Sequence, residues 1–268
     1  LTMPFFFCYA FWFFEKNIII KYILCLTSLL FIIFSFSSGG WICAVMQIVI
    51  FMFYAAESKK LKILSVVILI AASIFIFSIL ISVFDNGPAV SLKRELNQMM
   101  SFNDFDTLTN SRTDTWKASI FMTKIHPFTG TGWATFEKVF NEQRNNMAGI
   151  LHQEWSYPIS HPHNMYLSIL YSGGFPALLF FIVSFVLSTK KSWSGLRHDV
   201  INSGDIPWHL VCFILMVSMA IYGTNGDVFE ARRDISVIFW ACWGLLIVMP
   251  ESDQNSDKGD KSEDPALC

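Results

Sequence analysis

Run after run of this sequence is too apolar to rest in water: positions 18–36, 40–56, 61–84, 165–188, 208–222 and 235–249, the last two short. A helix crosses a bilayer core when about 20 mostly apolar residues follow one another with few charges. Within lipid, such a segment must satisfy its backbone internally, which a helix does. The runs therefore predict an all-α integral membrane protein, a polytopic helix bundle. Composition agrees, with 53% hydrophobic, 16% aromatic and only 15% charged residues, outside the range of ordinary soluble domains. Segment 3–14 is too short to span and the chain begins at Leu1. With no basic n-region and no small-residue cleavage site, it reads as the tail of a cut helix and not as a signal peptide. An N-terminal portion of the natural protein is expected to precede it.

Lysine and arginine in short loops set the orientation. Lys59, Lys60 and Lys62, then Lys190, Lys191 and Arg197, then Lys16 and Lys21 all fall on one side if the spans alternate. That side is read as cytoplasmic. The chain divides into first transmembrane helices (1–84), an outward, periplasmic loop (85–163), a second set of transmembrane helices (164–249) and an inward tail (250–268). The tail lacks aromatics and reads as disordered. The loop is long enough that a function is expected of it. Within it, 90–100 has helical spacing, with Leu92, Leu96 and Met99 on one face. A second helix is predicted over 113–124, with Asp114 favourably near its N-terminus, stopped by Pro127 and turned by Gly130 and Gly132. A third is predicted over 133–147.

Cys8, Cys25, Cys43, Cys212, Cys242 and Cys268 include none in the outward loop and form no metal spacing. They read as small core residues. The net charge of −2 favours no class of partner, and no basic aromatic stripe points to nucleic acid.

Polar chemistry collects in Ile159-Ser160-His161-Pro162-His163-Asn164, at the water-facing end of the span at 165–188. Pro162 biases His161 toward an extended backbone, and Asn164 suits the N-cap of the helix that follows. His163 then lies just before a helix N-terminus, whose dipole disfavours imidazolium and leaves a neutral proton acceptor. The same helix end favours anions. A histidine bonded to an interfacial carbonyl fits the position equally well, and two histidines at i, i+2, with His126 or His152 beside them, also fit a metal ion. Arg232 and Arg233 stand in a short outward loop, where a bound phosphate or pairing with Asp227, Glu230 or Asp234 accounts for them. Arg112, ahead of a predicted helix, is a third cation on that side. Asp104-Phe105-Asp106 resembles the metal-binding Asp-x-Asp of nucleotide-sugar enzymes, although nucleotide sugars are scarce on the outer face. Trp116, Trp133, Trp155 and Tyr157 either stack on sugar rings or anchor the loop at the interface.

Ser111-Arg112-x-x-x-Trp116, Pro127-x-x-Gly130-x-Gly132, His161-x-His163-Asn164 and Gly173-Gly174-x-Pro176 together resemble the core of the O-antigen ligase and polymerase superfamily. Gly226-Asp227-Val228 with Ala231-Arg232 resembles its ligases, and the similarity runs from Phe36 to Met249. The resemblance implies a lipid-linked glycosyltransferase architecture (GT-C-like) with a large, partly helical periplasmic loop, of which this chain is the C-terminal portion. It further implies that His163 is the base and that Arg112 and Arg232 hold the donor's pyrophosphate, with Arg112 sharing in catalysis. Where family members often carry an arginine at the outer start of an earlier span, this chain has Ser37-Ser38-Gly39-Gly40. Arg233 is the candidate substitute, Asn164 joins the anion site, and His161 and Trp116 support it.

The expected reaction moves polysaccharide from undecaprenyl pyrophosphate to the lipid A core, in lipopolysaccharide biosynthesis, at the periplasmic face of a bacterial inner membrane. Neither metal nor cofactor is expected to be required. Polymerisation of lipid-linked repeats and protein O-glycosylation are alternatives within the superfamily. A lipid or solute transporter is the alternative outside it, but transporters gather ionisable groups near the bilayer midplane, whereas these charges gather at the outer surface.

Overall fold

The computed structural model describes residues 38–55, 112–152, 159–196, 208–229 and 233–248, with positions 17, 19, 20, 23, 27, 97 and 155; at 38–39, 51–55, 233–235 and 238 it describes the backbone alone. The first fourteen residues, most of the span expected at 18–36, the span at 61–84, the helix at 90–100 apart from Asn97, Asp104, Asp106, Tyr157, Glu230, Arg232 and the tail lie outside the described residues. Every regular element among the described residues is an α-helix: α1 (Ser38–Ala55), α2 (Arg112–Thr123), α3 (Phe136–Leu151), α4 (Met165–Gly195), α5 (Trp208–Gly223) and α6 (Arg233–Val248). α4 is long and apolar enough to cross a membrane; apolar stretches of α1, α5 and α6 are shorter.

α2 starts one residue before its predicted place. α3 starts later than predicted because Gly132 (φ 100°) and Ala134 (φ 58°) hold the preceding turn left-handed. The Thr135 hydroxyl donates to the Gly132 carbonyl at 2.9 Å and fixes that turn.

Two apolar clusters organise these helices. The first joins α4, α5 and α6 through Met165, Val211, Leu215, Met219, Phe239 and Trp243. Gly223, at the end of α5, lets Met165 approach: a Cβ there would lie 2.6 Å from the Met165 methyl. α1 meets α5 through a polar contact, in which Gln47 Nε2 donates to Ser218 Oγ at 2.9 Å and Cys43 Sγ to the Ser218 carbonyl at 3.4 Å. The second cluster is the core of the segment between α1 and α4, with Met122, Phe136, Phe140, Met147 and Trp155 around Tyr171 of α4. Phe136 packs edge-on to Tyr171 (centroids 5.0 Å) and Phe140 edge-on to Trp155 (5.6 Å). Burying each such ring contributes roughly 1.5–3 kcal/mol, so Trp155 anchors the loop from within.

α4 is broken at Gly174, whose φ of 72° and ψ of −173° are not helical. Pro176, lacking an N–H, would leave the Ser172 carbonyl without its helical partner. The segment 127–132 supplies the missing bonds. Thr131 N donates to the Tyr171 carbonyl (3.0 Å), Gly132 N to the Ser172 carbonyl (3.0 Å), and Phe175 N to the Pro127 carbonyl (2.8 Å). The approach is so close that a Cβ on Gly130 would lie 2.3 Å from the Ser172 carbonyl, and one on Gly174 2.6 Å from Pro127 O. Both glycines also have positive φ, at 66° and 72°. The motifs Pro127-x-x-Gly130-x-Gly132 and Gly173-Gly174-x-Pro176 are therefore two halves of one clasp, which fastens the turn between α2 and α3 to α4.

Candidate functional site

The clasp and the Tyr171 cluster hold α2 beside the upper part of α4, and this brings Arg112 to the histidines. Asn164 caps α4, its Oδ1 accepting Leu167 N at 3.0 Å, while its Nδ2 donates to the Thr224 carbonyl at 2.8 Å. One amide thus closes a helix end and ties it to the turn after α5. Because both ends of that amide are engaged, contact between Asn164 and an anion is limited to its second N–H.

His163 has a left-handed backbone, φ 54°. That conformation is uncommon outside glycine, though histidine tolerates it better than most residues, and such residues gather at functional sites. It turns the His163 ring back toward His161, with ring centroids 4.0 Å apart. His161 Nδ1 in turn lies 2.8 Å from Ser160 Oγ.

Electrostatics at this mouth run one way for His163. Burial, then His161, then Arg112 push it from its ordinary 6.5 down to about 4. Burial, and not the helix dipole that the sequence suggests, leads the causes. His161 is also pushed down, by burial first, with Asp227 opposing and Arg112 assisting. Both imidazoles are therefore neutral at pH 7. Asp227 is only 2% exposed, and its Oδ1 accepts Phe229 N at 3.1 Å. Arg112 Nη1 donates to both the backbone carbonyl and the side-chain oxygen of Asn225. The structure thus gathers Arg112, His161, His163 and Asn164 with the turn 224–227.

Trp116 follows Arg112 by one turn of α2 and is part-buried. Arg233 begins α6, with its side chain outside the description, and Arg232 lies outside the described residues altogether. Among the described residues no three His, Cys, Asp or Glu side chains are grouped as a metal site would need. His126 and His152 are exposed; His126 contributes its carbonyl to Gly130 N and His152 ends α3. Asn225 carries no signal in the sequence, because its partner Arg112 is distant along the chain.

Below the mouth, a groove of about 720 Å³ opens between α4 and α6. Trp133, Phe180, Phe181, Phe229, Trp240 and Trp243 line much of it.

A family model described as O-antigen ligase matches residues 23–182, more than half of the chain. The chain belongs to the O-antigen ligase family. The match takes in Arg112, both halves of the clasp and the whole of 159–164, and stops short of the turn at 224–227. O-antigen ligase family members are glycosyltransferase-like enzymes. Comparison with curated proteins finds no match.

Proposed function

We propose that this O-antigen ligase family protein transfers polysaccharide from undecaprenyl pyrophosphate to a sugar hydroxyl of the lipid A core, at the periplasmic face of a bacterial inner membrane that it crosses several times. The observation that carries this reading is the meeting of Arg112 with a neutral His163 at the mouth of a membrane-length helix. A base is useful when it is deprotonated at the working pH, and burial, His161 and Arg112 keep His163 so.

In the proposed step the acceptor oxygen attacks the anomeric carbon of the donor sugar. The bond from that carbon to the pyrophosphate oxygen breaks, and its electron pair leaves with the lipid pyrophosphate. His163 takes the acceptor's proton. Arg112, with Arg232 and Arg233 and the N-terminus of α4, stabilises charge as it develops on the leaving group. His161 supports the base, and Trp116 the cation. The aromatic groove beside Phe229 has the chemistry to take the donor's isoprenoid chain, because it lies along a helix whose exposed side chains Leu179, Phe180, Val183 and Leu187 are apolar. No cofactor enters this scheme.

The test uses the complete protein in detergent, with undecaprenyl-pyrophosphate-linked glycan, lipid A core and a chelator, read by gel and mass spectrometry. A core-linked product is expected. A glycan that lengthens on its lipid carrier would make the protein a polymerase, and no product of either kind would sink the transferase reading. His163→Ala is expected to remove turnover and keep donor binding, whereas Arg112→Ala weakens both.

A further inference from the structure

We infer that Tyr166 is a positioning residue for His163, its hydroxyl fixing the first turn of α4 on the end of α5. The inference rests on the transferase reading above. Its basis is the bond from Tyr166 Oη to the Ala220 carbonyl, 3.0 Å across the two helices. His163, with its left-handed backbone (φ 54°), stands just outside α4 and is carried by the turn that Tyr166 belongs to.

The end of α5 is a place where a hydroxyl donor is of use. Carbonyls in the last turn of a helix have no partner within it. Here α5 stops at Gly223, and the chain tightens as Thr224 N donates to the Ile221 carbonyl at 3.2 Å and Asn225 N to the Tyr222 carbonyl at 3.0 Å. The Ala220 carbonyl takes Tyr166. Its two neighbours act on the same helix end: Asn164 Nδ2 donates to the Thr224 carbonyl at 2.8 Å, and the Met165 methyl lies 2.6 Å from where a Cβ on Gly223 would be. Three consecutive residues, 164–166, therefore seat the start of α4 on 220–224. The next residue of that turn, Asn225, accepts Arg112 Nη1 at its carbonyl and at Oδ1. The spacing between His163 and Arg112 is thus set through the end of α5, with His163 registered from the α4 side and Arg112 from the α2 side.

Proton transfer needs the base within hydrogen-bond reach of its target, and a displacement of about 1 Å can cost about 10²-fold in rate. The Tyr166 ring also packs edge-on to Phe181, with centroids 6.3 Å apart. That packing survives replacement by Phe, so the hydroxyl can be tested by itself.

The experiment measures kcat, the donor KM and thermal unfolding of the complete protein, with undecaprenyl-pyrophosphate-linked glycan and lipid A core, for wild type, Tyr166→Phe and Gln47→Met. Gln47→Met also removes a side-chain bond to α5, from Gln47 Nε2 to Ser218 Oγ, but one that comes from α1 and not from the start of α4. Tyr166→Phe is expected to lower kcat by about tenfold or more and to leave the donor KM within about twofold of wild type, because Arg112 keeps its tie to Asn225. Its unfolding midpoint should stay within a few degrees of wild type. Gln47→Met should keep the wild-type kcat. A wild-type kcat in Tyr166→Phe, a loss that appears in KM and not in kcat, or an equal loss of kcat in Gln47→Met would overturn the role of Tyr166 and leave the transferase reading standing. A wild-type protein that does not turn over the donor overturns both.

Discussion

His161 and His163, on either side of Pro162, face each other with ring centroids 4.0 Å apart and planes tilted by 50°. Two imidazolium ions cannot share that space cheaply, and His161 is second among the causes that depress His163.

The pH profile follows from this. The proposed base works when deprotonated, so kcat/KM should fall as pH drops through about 4, the value for His163 in the free protein. The acid limb of kcat should lie higher, because a bound pyrophosphate brings negative charge that favours imidazolium. Arg112 is a cation that lowers His163, so Arg112→Ala should move the limb of kcat/KM upward. Rate profiles of wild type and Arg112→Ala between pH 3 and 8 check both signs. Folding stability has the same direction. An unfolded chain takes up the His163 proton near the ordinary 6.5 and the folded chain only near 4, so stability falls as pH drops through that window.

The clasp predicts a large effect from a small change. Gly130→Ala places a methyl 2.3 Å from the Ser172 carbonyl at a backbone φ of 66°. A left-handed alanine alone costs roughly 1–2 kcal/mol, and the overlap with backbone adds to it. Unfolding in detergent should fall by several degrees, with faster proteolysis between α2 and α3. Gly149→Ala, where a Cβ meets nothing within 4 Å, is the control and should leave stability unchanged or slightly raised.

Asn164 separates two contributions. Asn164→Ala removes the cap on Leu167 N and the bond to Thr224, and should cost about 1–2 kcal/mol. Asn164→Asp keeps the cap and loses the donor to Thr224. It should retain most of the stability while still lowering turnover, since the turn at 224–227 is released from α4. Thermal unfolding and product formation measured on both variants decide this.

Gln47 should matter little. Its Nε2 bonds to Ser218 Oγ, while its Oε1 is buried without a hydrogen-bond partner among the described residues. A hydrogen bond of this kind contributes about 0.5–1.5 kcal/mol, and burying an unmatched oxygen offsets that gain. Gln47→Met should shift the unfolding midpoint by no more than a degree or two in either direction.

Local signals were legible in the sequence and distant pairings were not. The cap at Asn164, the stop near Pro127 and the starts of α2 and α4 follow from residues within a few positions of each other, where backbone chemistry is decided. The glycines of the clasp stand out in the sequence, but each half explains itself only when Gly130 meets Ser172 and Gly174 meets Pro127. The neutral His163 was readable from its place before a helix. Its leading cause, burial, was not, because burial depends on α2 and the turn after α5. For Asn225 there was nothing to read: an asparagine in a turn is ordinary, and its meaning lies with an arginine 113 positions away.

The break at Gly174 also bears on how the protein sits in membranes of different thickness. A continuous helix answers a thinner or thicker bilayer by tilting along its whole length, which would carry His163 away from Arg112. Here the part of α4 before Gly174 is bonded to Thr131 and Gly132 through Tyr171 and Ser172, while the part after it is a separate helical segment. With α4 spanning the bilayer as proposed, tilt can be taken up below the break, and the upper segment keeps its register with Arg112 when the lipid around it changes.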